Sequence, residues 1–170
     1  FFIIVFGSIF SVMWVKLSKI GKNPSIPLKF CFGIVQLALG FLVTKVGFQF
    51  VNESFQVPLL TLVFLYMLHT TGELFLSPIG LSMVTKLSPK SMAGTAMGAW
   101  FLSFAIANYV GGKIAAITGG HGGSDEEMSI GEGLNQYLDI FSTIGYVLLG
   151  IALVIFLLNK PIKKLMHGVE

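Results

Sequence analysis

Residues 57–84 read VPLLTLVFLYMLHTTGELFLSPIGLSMV, a run whose single charged residue is Glu73. It exceeds the roughly 20 apolar residues that a helix needs to cross a bilayer. It is too long for a strand of a soluble sheet, and it lacks the period-2 alternation of a membrane barrel. The same reading extends along the chain in both directions. Residues 1–15 are uncharged but short, so they read as a truncated span. Residues 28–50 form a second span, with Lys29 and Lys45 placed to snorkel toward the interfaces. Residues 91–113 and 138–159 form two more. The expected architecture is all-α and polytopic, with about five spans, a connection at 114–137 and a tail at 160–170.

Composition supports this and excludes other classes. The chain has 170 residues, 54% hydrophobic and 11% charged, against about 25% charged in soluble domains. Its eleven basic residues are all lysine and lie between apolar runs, which is not the clustered basic face of a nucleic-acid binder. One cysteine makes no disulfide framework. The chain opens on Phe1-Phe2-Ile3-Ile4, without Met or a leader pattern, so it reads as an internal or carboxy-terminal piece of a larger membrane protein.

The lysines give an orientation. Lys16, Lys19, Lys22, Lys29, Lys86, Lys90, Lys160, Lys163 and Lys164 fall in alternate connections, which hold nine lysines against two in the others. The positive-inside rule places the first, third and fifth connections, and the carboxy terminus, in the cytoplasm. The 114–137 connection is then extracellular. Its Gly119–Gly123 run with His121 reads as a solvated loop, since one His with no Cys makes no zinc site.

Glu73 is the most informative position. It falls ~4 Å from the middle of its span at 1.5 Å per residue. A carboxylate there costs about 3 kcal/mol on insertion scales, and such residues face a bundle interior or a wet cavity. The structural alternatives are a protonated Glu bonded to a neighbouring helix, or a pair with a distant Lys. Pro78 cannot donate to the carbonyl of Leu74, so the helix is expected to weaken or kink just after Glu73, with Gly72 and Gly80 on either side. Ser77 lies one turn on, on the same face. His69 lies one turn before and reads as a structural hydrogen-bonder. Gly94 and Gly98 form a G-x-x-x-G pair that allows close helix approach. Trp100 is expected at nearly the depth of Glu73, as a cavity wall, whereas Trp14 suits an interfacial belt.

The run Gly72-Glu73-Leu74-Phe75-Leu76-Ser77-Pro78-Ile79-Gly80-Leu81-Ser82, ending Thr85-Lys86-Leu87-Ser88-Pro89, closely resembles the tenth-helix motif of the proton-dependent oligopeptide transporter (POT) family, within the major facilitator superfamily. The resemblance covers the whole chain and is nearest to bacterial members. It implies that the five spans are helices eight to twelve of a di/tripeptide symporter in the inner membrane. It implies that Glu73 receives the peptide amino terminus, that Ser77 and Trp100 line the pocket, and that Met97 with Gly94 and Gly98 serves the intracellular gate. It further implies a proton gradient in place of a cofactor. The E-x-x-E-R motif, the helix-seven glutamate and the basic residues for the peptide carboxylate belong to missing amino-terminal helices.

The residues themselves show no nucleophile–base–orienter constellation and no metal-ligand cluster, so an enzyme is disfavoured. The expected partners are short peptides, protons, the lipid bilayer and the rest of the same protein, with no nucleic acid. Two other readings stay open: a same-fold transporter of nitrate or another solute, and a non-transporting membrane module that assembles through Gly94 and Gly98.

Overall fold

The computed structural model describes residues 1–118 and 129–166. The Gly119–Gly123 run, His121, and the acidic residues Asp125, Glu126 and Glu127 lie outside the described residues. Five long helices follow one another: α1 (Phe2–Lys19), α2 (Ile26–Gly47), α3 (Leu59–Leu87), α4 (Ala93–Thr118) and α5 (Ile130–Leu157). A short α6 (Asn159–Leu165) closes the described chain, and a single 3-10 turn (Phe48–Phe50) follows α2. Among the described residues α1, α2, α3 and α5 are long and apolar enough to cross a membrane. α4 has the length, but Gly94, Gly98, Asn108 and Lys113 dilute its apolar character.

The helices outrun the expected spans at several ends. α5 begins at Ile130, within the stretch read as connection, because Ser129 and Glu132 form a capping box. The Glu132 amide donates to Ser129 Oγ at 3.3 Å, and the Ser129 amide donates to Glu132 Oε2 at 3.0 Å. These bonds satisfy two amides that a helix start leaves without partners. α3 is helical through Pro78.

α2 is the core of the bundle, and small residues make it so. Gly33, Gly40 and Gly47 recur every seventh residue, so they stay on one face. Each faces α3. A Cβ on Gly33 would stand 2.9 Å from the Gly72 carbonyl oxygen, and one on Gly72 would stand 2.9 Å from that of Gly33. The two backbones therefore touch, and a side chain at either place would separate them. Gly40 lies against the His69 ring, with Nε2 2.8 Å from a Cβ added there, and Gly47 lies against Thr61. Lipid tails are as apolar as leucine, so association in a bilayer depends on this kind of close van der Waals packing.

A second seam joins α2 to α5. Ala38 and Ala152 are buried, and a Cβ on Gly145 would meet Leu42 Cγ at 2.8 Å. Cys31 Sγ donates to the Ala152 carbonyl at 3.3 Å. Phe41 meets Phe141 edge-on at 5.4 Å between ring centroids. Lys45 Nζ donates to the Tyr146 hydroxyl at 3.3 Å, and Ser25 Oγ donates to Asn159 Oδ1 at 2.7 Å. These two bonds fasten opposite ends of the pair.

α1 and α4 are held more lightly. α1 buries no residue; Phe10 and Trp14 approach Phe75 of α3 edge-on at 5.1 and 5.2 Å. Here two expectations are corrected. Trp14 is half-buried and not turned wholly to a lipid interface, because protein contacts hold it: Phe75 on one side and the Lys29 ammonium 4.7 Å from its ring centroid. Lys29 does not snorkel outward but is only 7% exposed. An aromatic face stabilises a desolvated ammonium by about 2 kcal/mol or more, which favours the inward rotamer.

Candidate functional site

Gly72 and Glu73 are consecutive, so their side-chain directions differ by about 100° around the helix. That rotation separates the packed face of α3 from its open face. Gly72 is buried in the α2 seam, whereas Glu73 is exposed on the wall of a groove of about 630 Å³. The groove runs from Glu73 toward the start of α3. Phe1 with Phe2 and Ile3 of α1 forms one side, and Leu62, Tyr66 and Thr70 of α3 are among the residues of the other. Its volume lies within the range of ligand sites.

The lining is apolar apart from Tyr66, Thr70 and Glu73, which share one stripe of α3 at spacings of four and three. Tyr66 is about 10 Å from Glu73 along the helix axis at 1.5 Å per residue. Among the described residues the Glu73 carboxylate has no hydrogen-bond or ion-pair partner, and no lysine pairs with it. An acceptor-only group on an apolar wall, with two hydroxyls above it, suits a cationic donor such as an ammonium.

The other expected site residues fall elsewhere. Ser77 is half-buried one turn toward the other end, outside the groove lining. Trp100 does not share the depth of Glu73. The tip of its ring rests on Gly80, in the space a Cβ would take, with Phe30 Cζ 3.2 Å from the same point. Gly80 is seven residues beyond Glu73, about 10 Å along the axis. The Trp100 ring leans toward the start of α4, as side chains of a helix do, and so reaches the level of Gly80. Gly72 and Gly80 thus serve close packing, by α2 and by Trp100, and are not simply flanks of a weak point at Pro78.

Met97 is half-buried on α4. Gly94 and Gly98 are exposed, and a Cβ on either meets nothing within 4 Å among the described residues. His69 packs on Phe41 at 4.6 Å between centroids; its buried Nε2 has no hydrogen-bond partner among the described residues, while the Leu37 backbone is within hydrogen-bonding reach of the ring, in keeping with a structural role. Tyr66 and Thr70 are the residues that sequence reasoning missed. Their spacing from Glu73 was visible, but Pro78 and Ser77 drew the reading toward the opposite end. Among the described residues no group of three His, Cys, Asp or Glu side chains is placed to hold a metal ion.

The chain is thus a bundle of apolar helices with a carboxylate on the wall of a groove between α1 and α3, and comparison with known proteins specifies its family. The POT family model matches residues 1–127. Dipeptide and tripeptide permease B of Aeromonas hydrophila is 31% identical over 169 residues, covering 99% of this chain and 33% of that protein. Peptide transporter YePEPT of Yersinia enterocolitica is 37% identical over 171 residues, covering 99% and 31% respectively. The crystal structure of peptide transporter POT in complex with sulfate superposes with a TM-score of 0.78 at 34% identity, covering 98% of this chain and 30% of that one. A variant of peptide transporter POT in complex with alafosfalin gives a TM-score of 0.79 at 32% identity, covering 98% and 31%.

The chain belongs to the POT family, and it is a multi-pass membrane protein with the helical fold of those transporters. It spans about a third of the length of the curated relatives named above.

Proposed function

We propose that the chain is the carboxy-terminal part, helices eight to twelve, of a proton-coupled symporter. The whole protein imports di- and tripeptides by alternating access across a bacterial inner membrane, and it performs no enzymatic reaction. One observation carries this reading: the Glu73 carboxylate, without a partner among the described residues, on the wall of an apolar groove midway along α3. A charge in that setting costs about 3 kcal/mol, which an ammonium ligand offsets. The peptide names of the relatives point to the same ligand class.

In this proposal Glu73 receives the peptide amino terminus, and Ser77 adds a hydroxyl one turn further in. Trp100, seated against Gly80, and Met97, one turn before it on α4, belong to the inner half of the pathway and its gate. The open faces of Gly94 and Gly98 receive a helix of the amino-terminal half. The carboxy terminus lies in the cytoplasm, on the strength of nine lysines against two. An impermeant thiol reagent checks that orientation in the full-length protein: Gly123→Cys is expected to react from outside and Gly168→Cys is not, while the reverse pattern overturns it.

The central test uses Glu73→Gln in reconstituted full-length protein, with a free-amine dipeptide and its N-acetylated analogue. Loss of a charge-assisted hydrogen bond is expected to cost about 1.5–3 kcal/mol, roughly 10- to 150-fold in affinity, for the free amine only. Equal loss for both ligands, or no loss for either, defeats the assignment.

A further inference from the structure

One face of α1 carries an aromatic ring at every fourth position: Phe2, Phe6, Phe10 and Trp14. The phenylalanines touch along the helix, with centroids 6.2 Å apart for Phe2 and Phe6 and 6.0 Å apart for Phe6 and Phe10. All four rings are half-buried, although most other residues of α1 are exposed. The row does not end within α1. Phe10 and Trp14 both run edge-on into Phe75, which also meets Phe32 of α2 at 6.5 Å. Phe75 follows Glu73 by two residues and so points about 200° away from it around α3. It fills the junction of α1, α2 and α3, behind the groove and not in it.

Only the outer end of this row reaches the groove. Phe2 lines it, whereas Phe6, Phe10, Trp14 and Phe75 do not. At 1.5 Å per residue Phe10 lies about 12 Å from Phe2 along α1. Between them α1 meets α3 at Gly7, where a Cβ would stand 3.9 Å from Leu74 Cδ2, an ordinary contact. The two helices are thus in contact at Gly7 and Phe10, and the groove opens between them nearer the start of α1. Burial does not hold α1 there. It buries no residue, and lipid tails accept apolar side chains as readily as leucine does. Among the described residues the rings are what hold it. Edge-to-face pairs attract beyond the area they cover, and the Lys29 ammonium on the Trp14 ring fastens the inner end of the row to α2.

We infer that Phe10 and Phe75 are positioning residues for ligand binding: by meeting edge-on they fix α1 against α3 and set the width of the groove opposite Glu73. Neither touches the ligand. About two turns of hydrogen-bonded backbone carry the placement from Phe10 to the groove wall at Phe2. The inference rests on the peptide reading of that groove. A ring pair that acts through the wall affects every ligand in the groove to the same degree, whereas Glu73 discriminates by the charge of the amino group.

The test uses Phe10→Leu, Phe75→Leu and the double variant in reconstituted full-length protein. Spin labels on Ile4→Cys of α1 and Val46→Cys of α2, both exposed, read the position of α1 against the α2–α3 pair. Each single variant is expected to lengthen and broaden the label distance. Each is also expected to weaken a free-amine dipeptide and its N-acetylated analogue alike, by roughly two- to tenfold. The double variant is expected to add little to either single one, because each already breaks the same contact. Phe10→Tyr keeps the ring and is expected to retain both distance and affinity, which separates the lost ring contact from a folding defect. An unchanged label distance in both leucine variants overturns the inference. So does a longer distance with unaltered affinity, a loss confined to the free-amine dipeptide, or losses that add in full. Failure of the peptide reading shows separately, as a wild type that binds neither dipeptide, and the label distance then still decides whether the ring pair sets the groove's width.

Discussion

Two adjacent residues of α3 meet opposite fates. Gly72 is locked against the Gly33 backbone, while Glu73, without a partner among the described residues, stands on the wall of an open groove. The packed face is assembled from the smallest side chains and tolerates no added atom. The open face carries the one carboxylate of the helix and, in line with it, the hydroxyls of Thr70 and Tyr66. The difference teaches that stability and ligand chemistry share one helix but separate by angle around it, not by position along it. A rigid back holds the front in place, so a bound ligand meets groups already positioned.

The sharpest way to break this comparison is Gly72→Leu. Its side chain would have to displace the Gly33 carbonyl and Leu37, so we expect a loss of about 3 kcal/mol or more of stability, at or beyond the usual overpacking range. The measurement is thermal unfolding and the monodisperse yield of full-length protein; wild-type behaviour would show that the seam is not needed. Next comes Glu73→Gln, which is expected to spare folding while costing the binding energy given above. Unaltered unfolding beside weakened free-amine binding would separate the two faces cleanly. Thr70→Val and Tyr66→Phe sharpen the open face further. Each removes one hydroxyl from the stripe beside Glu73, with an expected cost of about 0.5–1.5 kcal/mol in peptide affinity. Affinities equal to wild type in both would limit the ligand to Glu73 itself.

Smaller in energy is Gly98→Leu, on the open side of α4. It is expected to leave unfolding unchanged and to bias the protein away from the cytoplasm-closed state, read as cysteine accessibility from each side. Unchanged accessibility on both sides would remove Gly98 from the gate. The smallest effect belongs to Tyr146→Phe. It deletes the hydroxyl that accepts from the exposed Lys45, and we expect at most about 1 kcal/mol of lost stability. A larger loss would mean that the outer end of the α2–α5 pair matters more than its small-residue seam.

The helices were legible because apolar length is a direct consequence of bilayer thickness, and Glu73 stood out because burying charge is costly. The neighbours of each residue were not legible. Trp100 was matched to Glu73 by depth, yet the tip of its ring fills the gap at Gly80. Lys29 was expected to reach for water because its aromatic partner, Trp14, lies on another helix. The seven-residue spacing of Gly33, Gly40 and Gly47 was open to view, but the G-x-x-x-G at Gly94 and Gly98 attracted the packing argument instead. A glycine pattern shows that a helix can be approached closely; it does not say by what. The role of Glu73 itself rests on the binding experiment.

The bond from Cys31 to the Ala152 carbonyl joins residues 121 positions apart, and the Ser25–Asn159 bond spans 134. A ribosome adds about 5–20 residues per second, so the segment between Cys31 and its partner takes roughly 6–24 s to appear. During that interval α2 has already emerged and its glycine face can find α3, but its other face has no α5 to cover it. The central helix of the finished bundle is thus a half-covered one during biosynthesis. α5, translated well after α2, is what covers that face.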